Sequence, residues 1–337
     1  MKRMFMILIS FFIVCITIFS LAGCSRSSSN NGKVKVRLNE VTRSVFYAPM
    51  YIAISEGFFD KNGIEIDLQT GQGADKVMQA VLSNSADIGF CGPEQAIYIN
   101  NQGREDYPVV FAQLTQKDGS FLVGRSKNDD FKWSDIKGKY IIGGRPGGVP
   151  AMALQYAMKK NNIDPNSDVN MITNIDFSAT AGAFKGGTGD YVALFEPTAS
   201  VMQNDGSGYI ITSVGEEDGV IPYTCYFSTK SYMDKNPEVI ENFTRAIYEG
   251  QQWFFSHSDE EIADSIIDYF PGTDRNTIIT VVKNYKSIDA LAHNPEIKEE
   301  DLNRLMDIIQ DYNKDLIITR PDFSKIVDNS YAIKAEN

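Results

Sequence analysis

Any chemistry in this chain falls to polar and aromatic residues that follow short apolar runs. The most informative stretch is Arg145-Pro146-Gly147-Gly148-Val149-Pro150. Its two glycines let the backbone approach a ligand closely, and a helix starting at Pro150 adds free N–H donors. No Gly-Lys-Ser/Thr follows, so it is not a phosphate-binding P-loop. Cys91-Gly92-Pro93-Glu94 is the matching turn earlier in the chain. Arg43, Phe46 and Tyr47 follow the first apolar run, where aromatic faces could hold a flat or apolar ligand part. Gln113 and Thr115 end a later run and offer hydrogen bonds, and Glu196 either binds an amine or caps the next helix. Plainer roles are open to all of them: a surface charge for Arg43, a core position for Phe46, ordinary turns for the glycine loops.

Catalytic groups are scarce. The two histidines, His257 and His293, fall in the C-terminal third, away from each of these loops. A Ser-His-Asp or Cys-His arrangement needs one of them at a strand end. No Cys/His cluster has metal spacing. Cys91 lacks a base, and a small packed residue explains it better than a nucleophile does. The expectation is a binding protein, not an enzyme, with no cofactor and no metal.

The loops acquire meaning from the elements between them. Strand patterns at Val34–Asn39, Ile64–Leu68, Asp87–Cys91 and Pro108–Leu114 alternate with helical patterns at Ala48–Lys61, Ala74–Ser83 and Glu94–Asn100. The series restarts with strands at Tyr140–Gly143, Val169–Thr173, Asp190–Phe195 and Tyr209–Ser213, and helices at Pro150–Asn161 and Ser178–Lys185. Such alternation predicts α/β architecture with largely parallel sheets, and ligands in such sheets bind beyond the carboxyl ends of the strands. Ala80-Val81 with Asp87-Ile88-Gly89-Phe90 also matches Ala183-Phe184 with Asp190-Tyr191-Val192-Ala193 at constant spacing, which predicts two similar lobes. Tyr223–Thr229 is strand-like, and Pro237 to Leu316 is mostly helical, with apolar residues such as Val239, Phe243 and Ile247 forming a core-facing stripe.

Composition sets the compartment. The 337 residues are 43% hydrophobic and 23% charged, an ordinary globular balance with a length suited to two domains. Lys+Arg number 32 against 44 Asp+Glu, for a net charge of −12. Without a basic run to release counterions, nucleic acid is not an expected partner. Lys2 and Arg3 precede an apolar stretch from Met4 to Ser20, and then comes Leu21-Ala22-Gly23-Cys24. This reads as an export signal over residues 1–23 and resembles a bacterial lipobox, which implies that Cys24 is the lipidated first residue of the mature chain; the alternative is an uncleaved membrane anchor over Met4 to Gly23. Residues 24–33 form a polar tether. The predicted location is the outer face of the bacterial cell membrane, on a lipid anchor. Cys91 and Cys225 are then the cysteines of the folded part, and either a disulfide or two free thiols suits them.

The passage Val45-Phe46-Tyr47-Ala48-Pro49-Met50-Tyr51-Ile52-Ala53 with Glu56-Gly57-Phe58-Phe59 resembles the opening of bacterial solute-binding proteins of nitrate, sulfonate and taurine import systems. Ala86-Asp87-Ile88-Gly89, Ser134-Asp135-Ile136-Lys137-Gly138-Lys139 and Glu196-Pro197 are similar to further elements of that group, which includes receptors for thiamine pyrimidine precursors. The resemblance implies a periplasmic-binding-protein-like type II fold: two α/β lobes joined by two crossing strands, near Gly119–Arg125 and Tyr223–Thr229, with C-terminal helices packed on lobe one. Lobe one would comprise residues 34–120 and 223–337, and lobe two residues 121–222. The implied cleft falls on Arg43, Phe46, Tyr47, Cys91, Gly92, Glu94, Gln113, Thr115, Arg145, Gly147, Gly148, Val149, Glu196 and Tyr223. It implies a monomer that captures a small-molecule ligand and delivers it to an ABC permease with its ATPase subunits. Arg43 and Arg145 favour an anionic ligand such as a sulfonate, taurine or nitrate; Glu94 and Glu196 favour an amine or aminopyrimidine. Classes that compete with transport are an enzyme on the same fold, resembling the pyrimidine synthases, and a sensory lipoprotein.

Overall fold

The computed structural model describes residues 32–337. The export segment 1–23, Cys24 and most of the tether lie outside the described residues.

Among the described residues, ten strands form two five-stranded sheets. The first contains β1 (Val34–Glu40), β2 (Ile64–Thr70), β3 (Ile88–Cys91), β4 (Pro108–Thr115) and β10 (Thr224–Thr229), in the order β2-β1-β3-β10-β4. The second contains β5 (Ser120–Gly124), β6 (Tyr140–Ile142), β7 (Asn170–Ile172), β8 (Tyr191–Phe195) and β9 (Tyr209–Ser213), in the order β7-β6-β8-β5-β9. The two orders have the same topology. In each sheet the fourth strand is antiparallel and comes from a segment that has just crossed over: β10 pairs with β3 and β4, and β5 with β8 and β9. The crossings themselves are non-strand segments, residues 116–119 and 214–223, just ahead of the ranges expected for them.

The internal repeat has a physical basis. Asp87 accepts a hydrogen bond from the Arg37 backbone N–H (2.9 Å) and Asp190 accepts one from the Tyr140 N–H (2.8 Å). In both lobes the aspartate before the third strand of the unit ties down the backbone of the first, at mid-strand in β1 and at the first residue of β6, at a separation of 50 residues. The Arg37 guanidinium adds a bidentate pair with Asp87 (3.0 and 2.6 Å), which the second lobe lacks.

The helices cover the sheets where their apolar faces require. The helix expected over Ala48–Lys61 is two, Ala48–Ser55 and Phe58–Lys61, because Gly57 sits at φ 75° and breaks the first. Helix Pro237–Ser256 buries Ile240, Phe243, Ile247 and Phe254 on one face. At its Gly250 a Cβ would stand 2.4 Å from Pro49 O, so the glycine permits close approach to helix Ala48–Ser55. Farther on, helix Glu299–Tyr312 packs on Val149–Lys160, so the C-terminal helices also reach the second lobe. One core cluster runs through both lobes, with a smaller one under β6 and helix Val149–Lys160.

Candidate functional site

A cleft of about 350 Å³ opens between the two sheets, at the carboxyl ends of their parallel strands. The first lobe contributes Val41 and Thr42 after β1, Gln72 to Lys76 after β2, and Gly92 and Glu94 after β3. Arg145, Gly148 and Val149 enter from the loop after β6, Asp176 to Ser178 from the loop after β7, and Phe195 from the end of β8. Tyr47, Tyr223 and Thr224 complete the lining. Tyr47, Phe177, Phe195 and Tyr223 supply aromatic surface from both lobes, and Phe177 packs on Phe195 at 5.8 Å.

Glu94 is the charged group at the base. It is 1% exposed; its Oε1 accepts from Gln95 Nε2 (3.1 Å), and its Oε2 has no hydrogen-bond partner. Burial raises its pKa, opposed by the Gln95 side-chain hydrogen bond, the positive field of Arg145 and the backbone N–H groups of Glu94 and Gln95. Gly92 makes room for it: a Cβ there would lie 2.0 Å from Glu94 Oε2. A buried carboxylate oxygen lining an aromatic cleft is an acceptor in need of a donor.

Arg145 spans the mouth. Its guanidinium lies 3.6 Å from Asp75 Oδ1, on the opposite lobe, and its side chain is 43% exposed. Beside it the Tyr98 hydroxyl donates to Gly147 O (3.1 Å), a second link between lobes. Two helices aim their first turns at the cleft, Ala74–Leu82 and Val149–Lys160; neither has a side-chain cap, so first-turn N–H groups remain available.

The structure thus brings Tyr47, Gly92, Glu94, Arg145, Gly148, Val149 and Tyr223 together around one cavity, with Gly147 at its rim. The other expected residues point elsewhere, for identifiable reasons. Arg43 turns back to Glu40 (Nε to Oε1, 2.7 Å) and lies over the rings of Tyr51 and Tyr269. Phe46 is fully buried beneath the crossings, stacked on Tyr285 at 4.7 Å and wedged where a Cβ on Gly119 would meet it at 2.6 Å. Cys91 is fully buried behind the cleft wall, where burial pushes its thiol pKa well up. It faces Cys225 across the β3–β10 ladder, and both are free thiols. Gln113 holds the C-terminal segment through Glu296 O (2.5 Å), and Thr115 accepts from the Thr224 N–H (2.9 Å). Glu196, one residue ahead of the N-cap Pro197, ties down the first turn of helix Thr198–Asn204: it accepts from Ser200 N–H (2.8 Å), Ser200 Oγ (2.7 Å) and Asn284 Nδ2 (2.9 Å). His257 and His293 stack on Trp253 and Phe255 in the C-terminal region and do not line the cleft.

Sequence reasoning missed the loops after the edge strands, Gln72 to Lys76 and Asp176 to Ser178. The strand-end rule contains them; Gly71-Gln72-Gly73 was the available signal for the first. Exposed Phe177 carried no pattern of its own.

The comparisons agree with this geometry. The putative binding protein YtlA of Bacillus subtilis is 44% identical over 291 residues, covering 86% of each chain. A solved structure from Bordetella bronchiseptica superimposes with a TM-score of 0.73 at 22% identity, covering 90% of this chain and 98% of that one. The alkanesulfonate-binding protein SsuA of Xanthomonas axonopodis, bound to MOPS, gives 0.71 at 13% identity, over 88% and 98%. These two structures share the fold. The model of the family described as NMT1/THI5 like matches residues 45–261, a span that runs from Tyr47 and Glu94 on one wall of the cleft through Arg145 and Phe195 on the other. With that match and the YtlA identity, the chain belongs to the NMT1/THI5-like family.

Proposed function

We propose that this chain is the solute-binding protein of an ABC importer, held outside the cell membrane by a lipid on Cys24, and that it captures a small planar ligand bearing an N–H donor, such as an amine or aminopyrimidine. The two-lobed fold, a relative named as a binding protein and a structural neighbour that binds alkanesulfonates support the transport role. Delivery would be to a membrane permease driven by its ATPase. The observation that carries the ligand class is the buried, unpartnered Oε2 of Glu94 in a cleft walled by Tyr47, Phe177, Phe195 and Tyr223. Among the cleft's charged groups Asp75, Glu94 and Asp176 outnumber Lys76 and Arg145, and Arg145 already faces Asp75.

A second reading, an anionic ligand of the sulfonate, taurine or nitrate type, draws on the uncapped helix starts at Ala74 and Val149, which favour negative charge. A thermal-shift panel of aminopyrimidines, polyamines, riboflavin, taurine, alkanesulfonates and nitrate separates the two. A binder present at a hundredfold over its Kd adds about 2.7 kcal/mol of stability. Shifts confined to the anions overturn the N–H donor assignment; chemical turnover of any compound overturns the transport role.

A further inference from the structure

The two crossings are bound to each other as well as to the lobes. Tyr223 N–H donates to Thr115 O (3.0 Å), Ile221 N–H to Gln116 O (2.9 Å) and Val214 N–H to Ser120 O (3.0 Å). At Gly215 the backbones touch: a Cβ there would stand 2.0 Å from Asp118 O. Each crossing carries one buried carboxyl group in this region. Asp118 is fully buried; its Oδ1 accepts from the Ser120 N–H (2.6 Å) and the Ser120 hydroxyl, while its Oδ2 has no partner. Asp218 is 3% exposed, and neither of its oxygens has a partner. The buried hydroxyl of Tyr223 faces Asp118 and, like Ser120, favours the ionised carboxylate against the effect of burial.

The charged surroundings do not neutralise the pair. Lys160, from helix Val149–Lys160, donates to Glu217 O (2.6 Å) and lies 3.9 Å from the Glu217 carboxylate; its positive field favours ionised Asp218 but is outweighed by burial and by Asp118. Glu217 adds a further negative charge on the side of Asp218, and Tyr47 approaches Asp118 and Tyr223 from the first lobe. Arg304 reaches Val220 O but pairs with Asp301. Burial raises Asp118 to about 6 and Asp218 well above the usual range, with Asp118 itself adding to the rise at Asp218. Two neighbouring buried carboxyls disfavour simultaneous ionisation.

We propose that Asp118 and Asp218 form a proton-binding site inside the double crossing, loaded when the crossings pack together and emptied when they loosen, so that lobe movement is linked to pH. The proposal rests on the crossings and not on the cleft, and it stands whichever ligand is bound. The sign follows from linkage. A carboxyl whose pKa is raised in the packed state holds its proton more tightly there. The packed state is therefore fully favoured below the ordinary carboxylate pKa and loses that advantage as pH rises through about 6 and beyond.

The test uses the ligand-free exported chain, with thermal unfolding and small-angle scattering followed from about pH 5 to about pH 8. The wild type should lose melting temperature and gain radius of gyration as pH rises. In Asp218→Asn both profiles should flatten, and its melting temperature at the alkaline end should exceed that of the wild type. Glu217→Gln, which removes a negative charge that adds to the rise at Asp218, should keep a pH-dependent profile with its midpoint moved to lower pH. Should Asp218→Asn not fold, Asp118→Asn carries the same expectation. Profiles of the folded aspartate variant that run parallel to the wild type would overturn the proposal, as would a wild-type radius of gyration that does not respond to pH.

Discussion

Replacing Glu94 with Gln separates the binding role of this residue from its effect on folding. The substitution keeps the shape of the side chain and removes the charge. If Oε2 accepts from a ligand N–H, the loss is that of a buried hydrogen bond to a charged acceptor, about 1.5–3 kcal/mol. This corresponds to a loss of affinity of about 10- to 150-fold. Stability should move the opposite way. Burial is the largest influence on the carboxyl and raises its pKa, so ionising it in the folded, ligand-free protein is unfavourable. That destabilisation is absent below the ordinary carboxylate pKa and grows as pH rises through the raised one. Glu94→Gln should therefore match the wild type in acid and melt higher at neutral and alkaline pH. Calorimetric titration with the panel's strongest binder, alongside melting curves across pH, gives both readings on the same preparation. Lower affinity together with lower stability at neutral pH would mean that Glu94 supports the fold, and unchanged affinity would remove it from the site.

Three other substitutions probe the rest of the cleft. Arg145→Ala should change stability by less than about 1 kcal/mol in melting experiments, since its partner Asp75 is an exposed charge; a loss of affinity larger than that of Glu94→Gln would favour the anionic ligand. Glu196→Ala leaves Ser200 and Asn284 without their acceptor and should lower stability by about 1–3 kcal/mol in denaturant titration, with ligand affinity nearly unchanged. Tyr98→Phe removes the bond to Gly147 O, and about 0.5–1.5 kcal/mol of support for the contact between lobes with it. Scattering from the ligand-free protein should show a larger radius of gyration, and an unchanged value would count against a clasp between the lobes.

The sequence alone determined the alternation of strands and helices, the repeat over two lobes and the loops in which a ligand would be sought. These follow from local rules: apolar periodicity, glycine and proline punctuation, and the placement of sites at strand ends. The Asp87 and Asp190 ties, at the same separation in each lobe, show why the repeat was visible in the residues themselves. Only the tertiary structure decided which polar groups in those loops face the cleft. Glu196 and Glu94 are equivalent as text, each a carboxylate near the end of a strand. Asn284, 88 residues away, helps to saturate Glu196, whereas Gln95 leaves one oxygen of Glu94 unpartnered. Gln113 is taken up by Glu296, 183 residues away. Buried polar groups must find partners, and the partner is chosen by packing between distant segments, which no local pattern encodes. The same holds for Asp118 and Asp218, a hundred residues apart in the chain and brought to one place because the crossings touch at Gly215.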